Sequence, residues 1–202
     1  MGLGEKVLLL DTSTELVILG LFTNQGKLIA TSSFAHGNNL SKTLLPSMQS
    51  LLKERGLTPK DLSKIACGIG PGSYTGTRVG VAVAKSLAFA LQIPIQGFCS
   101  LLAFIPRSVS REFSFLVPSR SGKVFVLQGS CHGEKLSVKP HFFAIPSDLD
   151  SLIQNTTCIT ANKEAFPFFC LQEELNLPLL ISFLLEAPFA DEDPELLYLP
   201  SA

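Results

Sequence analysis

At 202 residues, with 46% hydrophobic and 16% charged residues, the chain can fold as one large or two small domains and carries too little charge to stay disordered. Its net charge of −1 is unevenly placed: sixteen cations stand against nine acids up to Lys163, and eight acids without a cation follow. An autonomous nucleic-acid binder would show a clear basic excess, so the acidic end either solvates an ordinary surface, meets a basic partner or masks a basic face.

Lys6–Asp11, Glu15–Phe22 and Leu28–Phe34 are apolar and β-branched, with turn signals at Asp11-Thr12-Ser13 and Asn24-Gln25-Gly26, and predict a three-stranded meander. Leu44, Leu45, Met48, Leu51 and Leu52 recur at helical spacing from about Ser41 to Arg55, where Gly56 can cap the end; Pro46 fits only in a first turn or at a tolerated kink. Lys64–Ile69 predicts a short buried strand that runs into the turn Gly70–Gly76, followed by a helix over Tyr74–Leu91. Pro94–Phe98 predicts another strand, and Ser100 can cap a short helix through Ile105. The first part, residues 1–105, therefore reads βββαβαβα.

The second part, residues 106–202, reads as smaller and richer in strand. Phe113–Val117, Lys123–Ser130 and Leu136–Phe143 predict strands, with turns at Ser121-Gly122 and His132-Gly133. Ser147 or Asp148 can start a helix to Gln154, Cys158–Thr160 reads as one more strand, and the Leu/Phe-rich stretch from Pro167 gives no clear period. Leu177–Leu185 is broken by Pro178 and falls short of the roughly 20 residues of a helical span, and Asp11 cuts the first apolar run below the length of a signal core. A cytosolic protein is expected. The five cysteines form no Cys-x-x-Cys pair and the three histidines no His-x-x-x-His pair, so no metal site and no cofactor are expected.

The glycine-rich turn carries the most information. Gly70, Gly72, Ser73, Tyr74, Thr75, Gly76 and Arg78 precede or open a helix, where backbone N–H groups can form an anion site. They match no nucleotide signature, because Gly76 is followed by Thr77-Arg78 and not by Lys-Ser/Thr, and Ser73 lacks the flanking glycines of a nucleophile elbow. In the helix itself, Gly76, Gly80, Ala84 and Ala88 are spaced by four and form a smooth stripe that can pack closely on the chain's own sheet or on another subunit. Asp11 is a weak catalytic candidate; capping its own turn explains it better.

Gly-Pro-Gly-Ser-Tyr-Thr-Gly-Thr-Arg-Val-Gly at 70–80, Leu10-Asp11-Thr12-Ser13 and Pro94-Ile95-Gln96-Gly97 with Ser100-Leu101 resemble the TsaB (YeaZ) family over roughly residues 7–101. The chain departs from the family pattern at Pro118-Ser119-Arg120, where the family often has Asp-Ala-Arg, near Leu40, where a His is common, and at Tyr198-Leu199-Pro200. The resemblance implies an α/β fold of the actin/Hsp70 type (ASKHA, ribonuclease H-like) with a complete first lobe and a reduced second lobe. It also implies a non-catalytic subunit of the machinery that forms threonylcarbamoyladenosine beside the tRNA anticodon. TsaD would supply the metal and the chemistry, TsaE would join the larger complex, and tRNA would be met only through the complex. From the stripe and the apolar helix before it, the expected interface with TsaD, or with a second copy when the chain is alone, comprises Gly76, Val79, Gly80, Val83, Ala84, Leu87, Leu44, Leu45, Met48 and Leu52. A small actin-fold ATPase or phosphotransferase is the competing reading; a peptidase lacks any metal pair or activated nucleophile.

Overall fold

The computed structural model describes residues 5–35, 37–105, 111–119, 121–133, 135–160, 170–171, 175–186 and 194–197. It divides into two compact units, Met1–Ser100 with Leu184–Tyr198 and Leu101–Phe183 with Leu199–Ala202.

In the first unit, β1 (Lys6–Asp11) is buried at every position and β2 (Leu16–Thr23) at all but its first. Continuous burial of this kind is expected of central strands covered on both faces. β3 (Leu28–Ala35) alternates between buried or half-buried and exposed positions along most of its length, as an edge strand does. β1, β2 and β3 form the expected antiparallel meander; β4 (Leu62–Gly68) and β5 (Ile95–Phe98) add in parallel, giving the order β3-β2-β1-β4-β5. Such parallel pairs need crossover helices. These are α1 (Leu40–Lys53) before β4 and α2 (Tyr74–Leu91) between β4 and β5. Leu8, Leu10 and Ile65 from the sheet pack with Leu44, Met48 and Leu52 of α1 and Val81 and Ala84 of α2 in one core.

Pro46 lies inside α1 and not in its first turn. The carbonyl that loses its partner there belongs to Lys42, and both residues are exposed, so water can serve it. At the other helix, Ser73 caps the start of α2, its Oγ accepting the Gly76 N–H at 3.1 Å, and Gln92 closes the end with φ 54°.

The second unit holds a sheet of order β11-β10-β6-β7-β8, built from β6 (Glu112–Pro118), β7 (Val124–His132), β8 (Lys135–Val138), β10 (Thr157–Thr160) and β11 (Cys170–Leu171). The single strand expected over Leu136–Phe143 is two: β8 pairs with the end of β7 and β9 (Phe142–Ala144) with its beginning. Pro140 lies in the gap, where a residue without an N–H cannot continue the ladder. The helix expected to reach Gln154 is the short α3 (Leu149–Leu152), followed by Asn155 at φ 64°. Gln128 ties this end to the sheet, its Nε2 donating to Leu152 O at 2.9 Å and Ser114 Oγ at 3.0 Å.

The stretch without a clear period contains α4 (Leu177–Glu186). Asn176 opens it: its N–H and Nδ2 donate to Ala103 O at 2.8 Å and Ile105 O at 2.9 Å, and its Oδ1 accepts the Leu179 N–H at 3.4 Å. Three antiparallel strands followed by two parallel strands carried by helices make the first unit a ribonuclease H-like lobe, and the fold is α/β of the actin/Hsp70 type. No helix among the described residues is long and apolar enough to cross a membrane.

Candidate docking face and the glycine loop

The C-terminal ends of β1 and β4 lead into two turns that lock together beneath α2. Asp11 ends β1 and Thr12-Ser13 follows it, and Gly70–Ser73 leads from β4 into the helix. Ser73 N–H donates to Ser13 O at 2.6 Å, Thr12 Oγ1 to Gly76 O at 2.7 Å, and Thr77 Oγ1 to Ser73 O at 2.7 Å. Gly70, at φ 93°, exchanges two bonds with Ser100: its N–H donates to Ser100 Oγ at 3.0 Å and its carbonyl accepts the Ser100 N–H at 2.8 Å. Leu197 N–H donates to Ile69 O at 2.8 Å, so the chain's last described residues also border this turn.

The glycines of the signature are explained by this docking. A Cβ at Gly72 would fall on Ser13 O, one at Gly76 on Thr12 O, and one at Gly80 on Thr12 Oγ1. Of the residues expected to form an anion loop, Gly70, Gly72, Ser73, Tyr74, Thr75, Gly76 and Arg78, the N–H groups of Gly70, Ser73 and Gly76 have internal acceptors, and the Arg78 guanidinium lies 3.9 Å over the Tyr74 ring.

Asp11 is 1% exposed. Its Oδ1 accepts the Ser13 N–H at 2.8 Å, while Oδ2, against Gly68, has no hydrogen-bond partner, and neither has the buried Ser13 Oγ. Burial pushes this carboxyl well above the usual carboxylate range, and the nearby donors of Ser13, Ser100 and Thr12 offset only part of that. Burial, with the Asp11 charge adding to it, likewise pushes the Cys67 thiol up, away from any nucleophilic thiolate.

The structure corrects one expectation about the docking residues. Gly76, Gly80, Ala84 and Ala88 are buried and face the chain's own sheet, because Thr12 occupies the space that side chains at 76 and 80 would need. Leu44, Met48 and Leu52 are also core residues. Six of the ten expected interface residues, Gly76, Gly80, Ala84, Leu44, Met48 and Leu52, are therefore internal to the first unit. The other four reach the surface: Leu45 is 45% exposed, and Val79, Val83 and Leu87 are half-buried, packed against the core. Two surface residues went unnoticed. Ala82 is exposed and Phe89 is 79% exposed, both on the side of α2 turned from the stripe. Helical phase could have found them, since each lies on the opposite side from residues spaced by four from Gly76.

Among the described residues no three His, Cys, Asp or Glu side chains gather to hold a metal ion. Pro118 ends β6 and Ser119 Oγ lies 2.7 Å from Ser121 Oγ; Arg120 and Tyr198–Pro200 lie outside the described residues.

A family model described as TsaD: tRNA N6-adenosine threonylcarbamoyltransferase matches residues 35–135, half of the chain. The tRNA threonylcarbamoyladenosine biosynthesis protein TsaB of Bacillus subtilis is 36% identical over 121 residues, 59% of this chain and 52% of that protein. The chain belongs to the TsaB (YeaZ) family. The Escherichia coli TsaB is 28% identical over 141 residues, 64% of this chain and 60% of its own length. The chain thus spans about half the length of the curated TsaB relatives it matches. A Pseudomonas aeruginosa crystal structure described as similar to the peptidase YeaZ superposes with a TM-score of 0.76, at 21% identity, covering 97% of this chain and 100% of that one. At that identity the likeness is one of fold.

Proposed function

We propose that this TsaB-family chain is a non-catalytic subunit that supports TsaD in forming threonylcarbamoyladenosine on the tRNA adenosine next to the anticodon. TsaD would dock on the outer surface of the α1–α2 pair, around Leu45, Val79, Ala82 and Val83. TsaE would join the larger assembly, and tRNA would be contacted through the complex. The observation that carries the reading is the way the first unit treats its strand ends. In open α/β sheets a ligand sits in the crevice beyond the carboxyl ends of the strands. Here the Gly70–Gly76 turn is bonded onto Ser13 and Thr12 at the carboxyl ends of β1 and β4. An ATPase or phosphotransferase of this fold would need the place open and a cation to steady phosphate; Asp11-Thr12-Ser13 offers a buried carboxyl instead.

Co-expression with TsaD from the same organism tests the proposal. A stable complex is expected, together with tRNA modification that depends on this chain. Leu45→Glu with Ala82→Glu, two changes at exposed positions, should leave folding intact and abolish co-purification. Turnover of ATP by the isolated chain would overturn the reading in favour of the phosphotransferase.

A further inference from the structure

We propose that Ile69, Gly70 and Gly97 form a seat for a short, proline-led apolar segment, and that the chain's own Pro194–Leu197 occupies it as a releasable latch on the glycine-rich turn. Both glycines leave room for this occupant. A Cβ at Gly97 would stand 2.6 Å from Pro194 Cβ, and one at Gly70 would stand 2.6 Å from Leu197 O. Between these two contacts, Leu197 N–H donates to Ile69 O at 2.8 Å, and Leu196 packs against the core of the first unit. Proline suits the first position, because it brings no N–H that would need an acceptor.

The seat is tied into the turn. Ile69 N–H donates to Phe98 O at 3.0 Å, and the N–H and carbonyl of Gly70 are both bonded to Ser100, so Leu197 supplies the remaining partner of this backbone pair, at the Ile69 carbonyl. Emptying the seat removes that bond and the Leu196 contact. It therefore weakens the hold on Gly70, whose φ of 93° begins the turn that bonds onto Ser13 and Thr12. The occupant is held lightly: Glu195 is exposed and Pro194, Leu196 and Leu197 are half-buried, whereas β1 is buried throughout. Segments of shallow burial open locally at far lower cost than the strands beside them. The 194–197 segment can thus leave the turn while the sheet stays folded.

The test is native-state hydrogen exchange on the full chain, as wild type and as Leu197→Pro, which lacks the donated N–H. In wild type the Leu197 amide should exchange through a local opening that low urea does not accelerate, well ahead of Leu8 in β1 and Leu19 in β2. In Leu197→Pro the amides of Gly70 and Ser73 should exchange about 10-fold faster, the scale of one lost hydrogen bond, with Leu8 and Leu19 unchanged. An excess of the synthetic peptide Pro-Glu-Leu-Leu-Tyr-Leu, the sequence of residues 194–199, should fill the seat and slow Gly70 and Ser73 again. Unchanged exchange at Gly70 and Ser73 in the variant would overturn the latch, as would a peptide without effect. Acceleration of Leu8 and Leu19 by the same factor, or a variant that does not fold, would overturn it by making 194–197 part of the cooperative core. A wild-type Leu197 amide that exchanges only with global unfolding would do so without any variant.

Discussion

Gly80 offers the sharpest test of the packing beneath α2, because two physical effects predict opposite signs. By helix propensity alone, Gly80→Ala in the middle of an 18-residue helix should stabilise by about 1 kcal/mol. The structure opposes this. The new Cβ would fall on Thr12 Oγ1, the end of a 1%-exposed, β-branched side chain whose hydroxyl is bonded to Gly76 O at 2.7 Å. A branched side chain has few rotamers to escape into. Overpacking costs about 1–3 kcal/mol and loss of the hydroxyl bond about 1 kcal/mol more, so the net change should be a destabilisation of about 1–3 kcal/mol. For a chain of this size each kcal/mol lowers Tm by about 2–4 °C. Thermal and urea unfolding of Gly80→Ala, Thr12→Ala and the double variant would measure it. Thr12→Ala removes the obstacle, so Gly80→Ala in that background should be neutral or stabilising, with a coupling of about 2 kcal/mol. A single Gly80→Ala variant that melts higher than wild type would refute the docking of α2 onto Thr12.

Asp11 gives a pH test. Its folded-state pKa is raised, so the native state holds a proton that the unfolded chain releases above about 3.9; its contribution is complete below that value and is lost as pH rises toward the folded pKa. Asp11→Asn should flatten that decline and raise stability at pH 8 by about 1–3 kcal/mol, since the amide can donate to the unpartnered Ser13 Oγ; pH-dependent urea midpoints that coincide for the two proteins would contradict the buried carboxyl. Asn176→Ala removes the Nδ2 bond to Ile105 O and the Oδ1 acceptor at the start of α4, and should cost about 1–3 kcal/mol, with early hydrogen exchange over 177–183. Exchange there that matches wild type would deny Asn176 its capping role.

The sequence made the first unit readable because its signals are local. Alternation and apolar runs mark β1 to β3, and the glycine-rich turn marks the start of α2 at Tyr74, where the structure adds Ser73 as the cap. The end of α2 carries no such signal, because Gln92 takes the left-handed conformation in which a glycine would be looked for. The second unit was harder. Pro140 divides one apolar stretch into two strands that share β7, and α4 begins with an Asn-x-Pro signature at Asn176–Pro178 that was read only as an interrupted apolar run. The bond from Leu197 to Ile69 spans most of the chain, and no local pattern announces it.

The glycine/alanine stripe shows where spacing stops being informative. A period of four states that something comes close to the helix; it does not state whether that neighbour is the chain's own strand or another protein. The answer lay in Thr12, sixty-four residues away from Gly76, whose hydroxyl both bonds the helix and excludes a side chain at Gly80. With the inner face of α2 taken up by the chain's own sheet and the Thr12 turn, the positions left outward are those of Ala82 and Phe89. Close backbone approach without side chains is thus how α2 meets its own chain, and a four-residue spacing of small residues is fully accounted for inside the first unit.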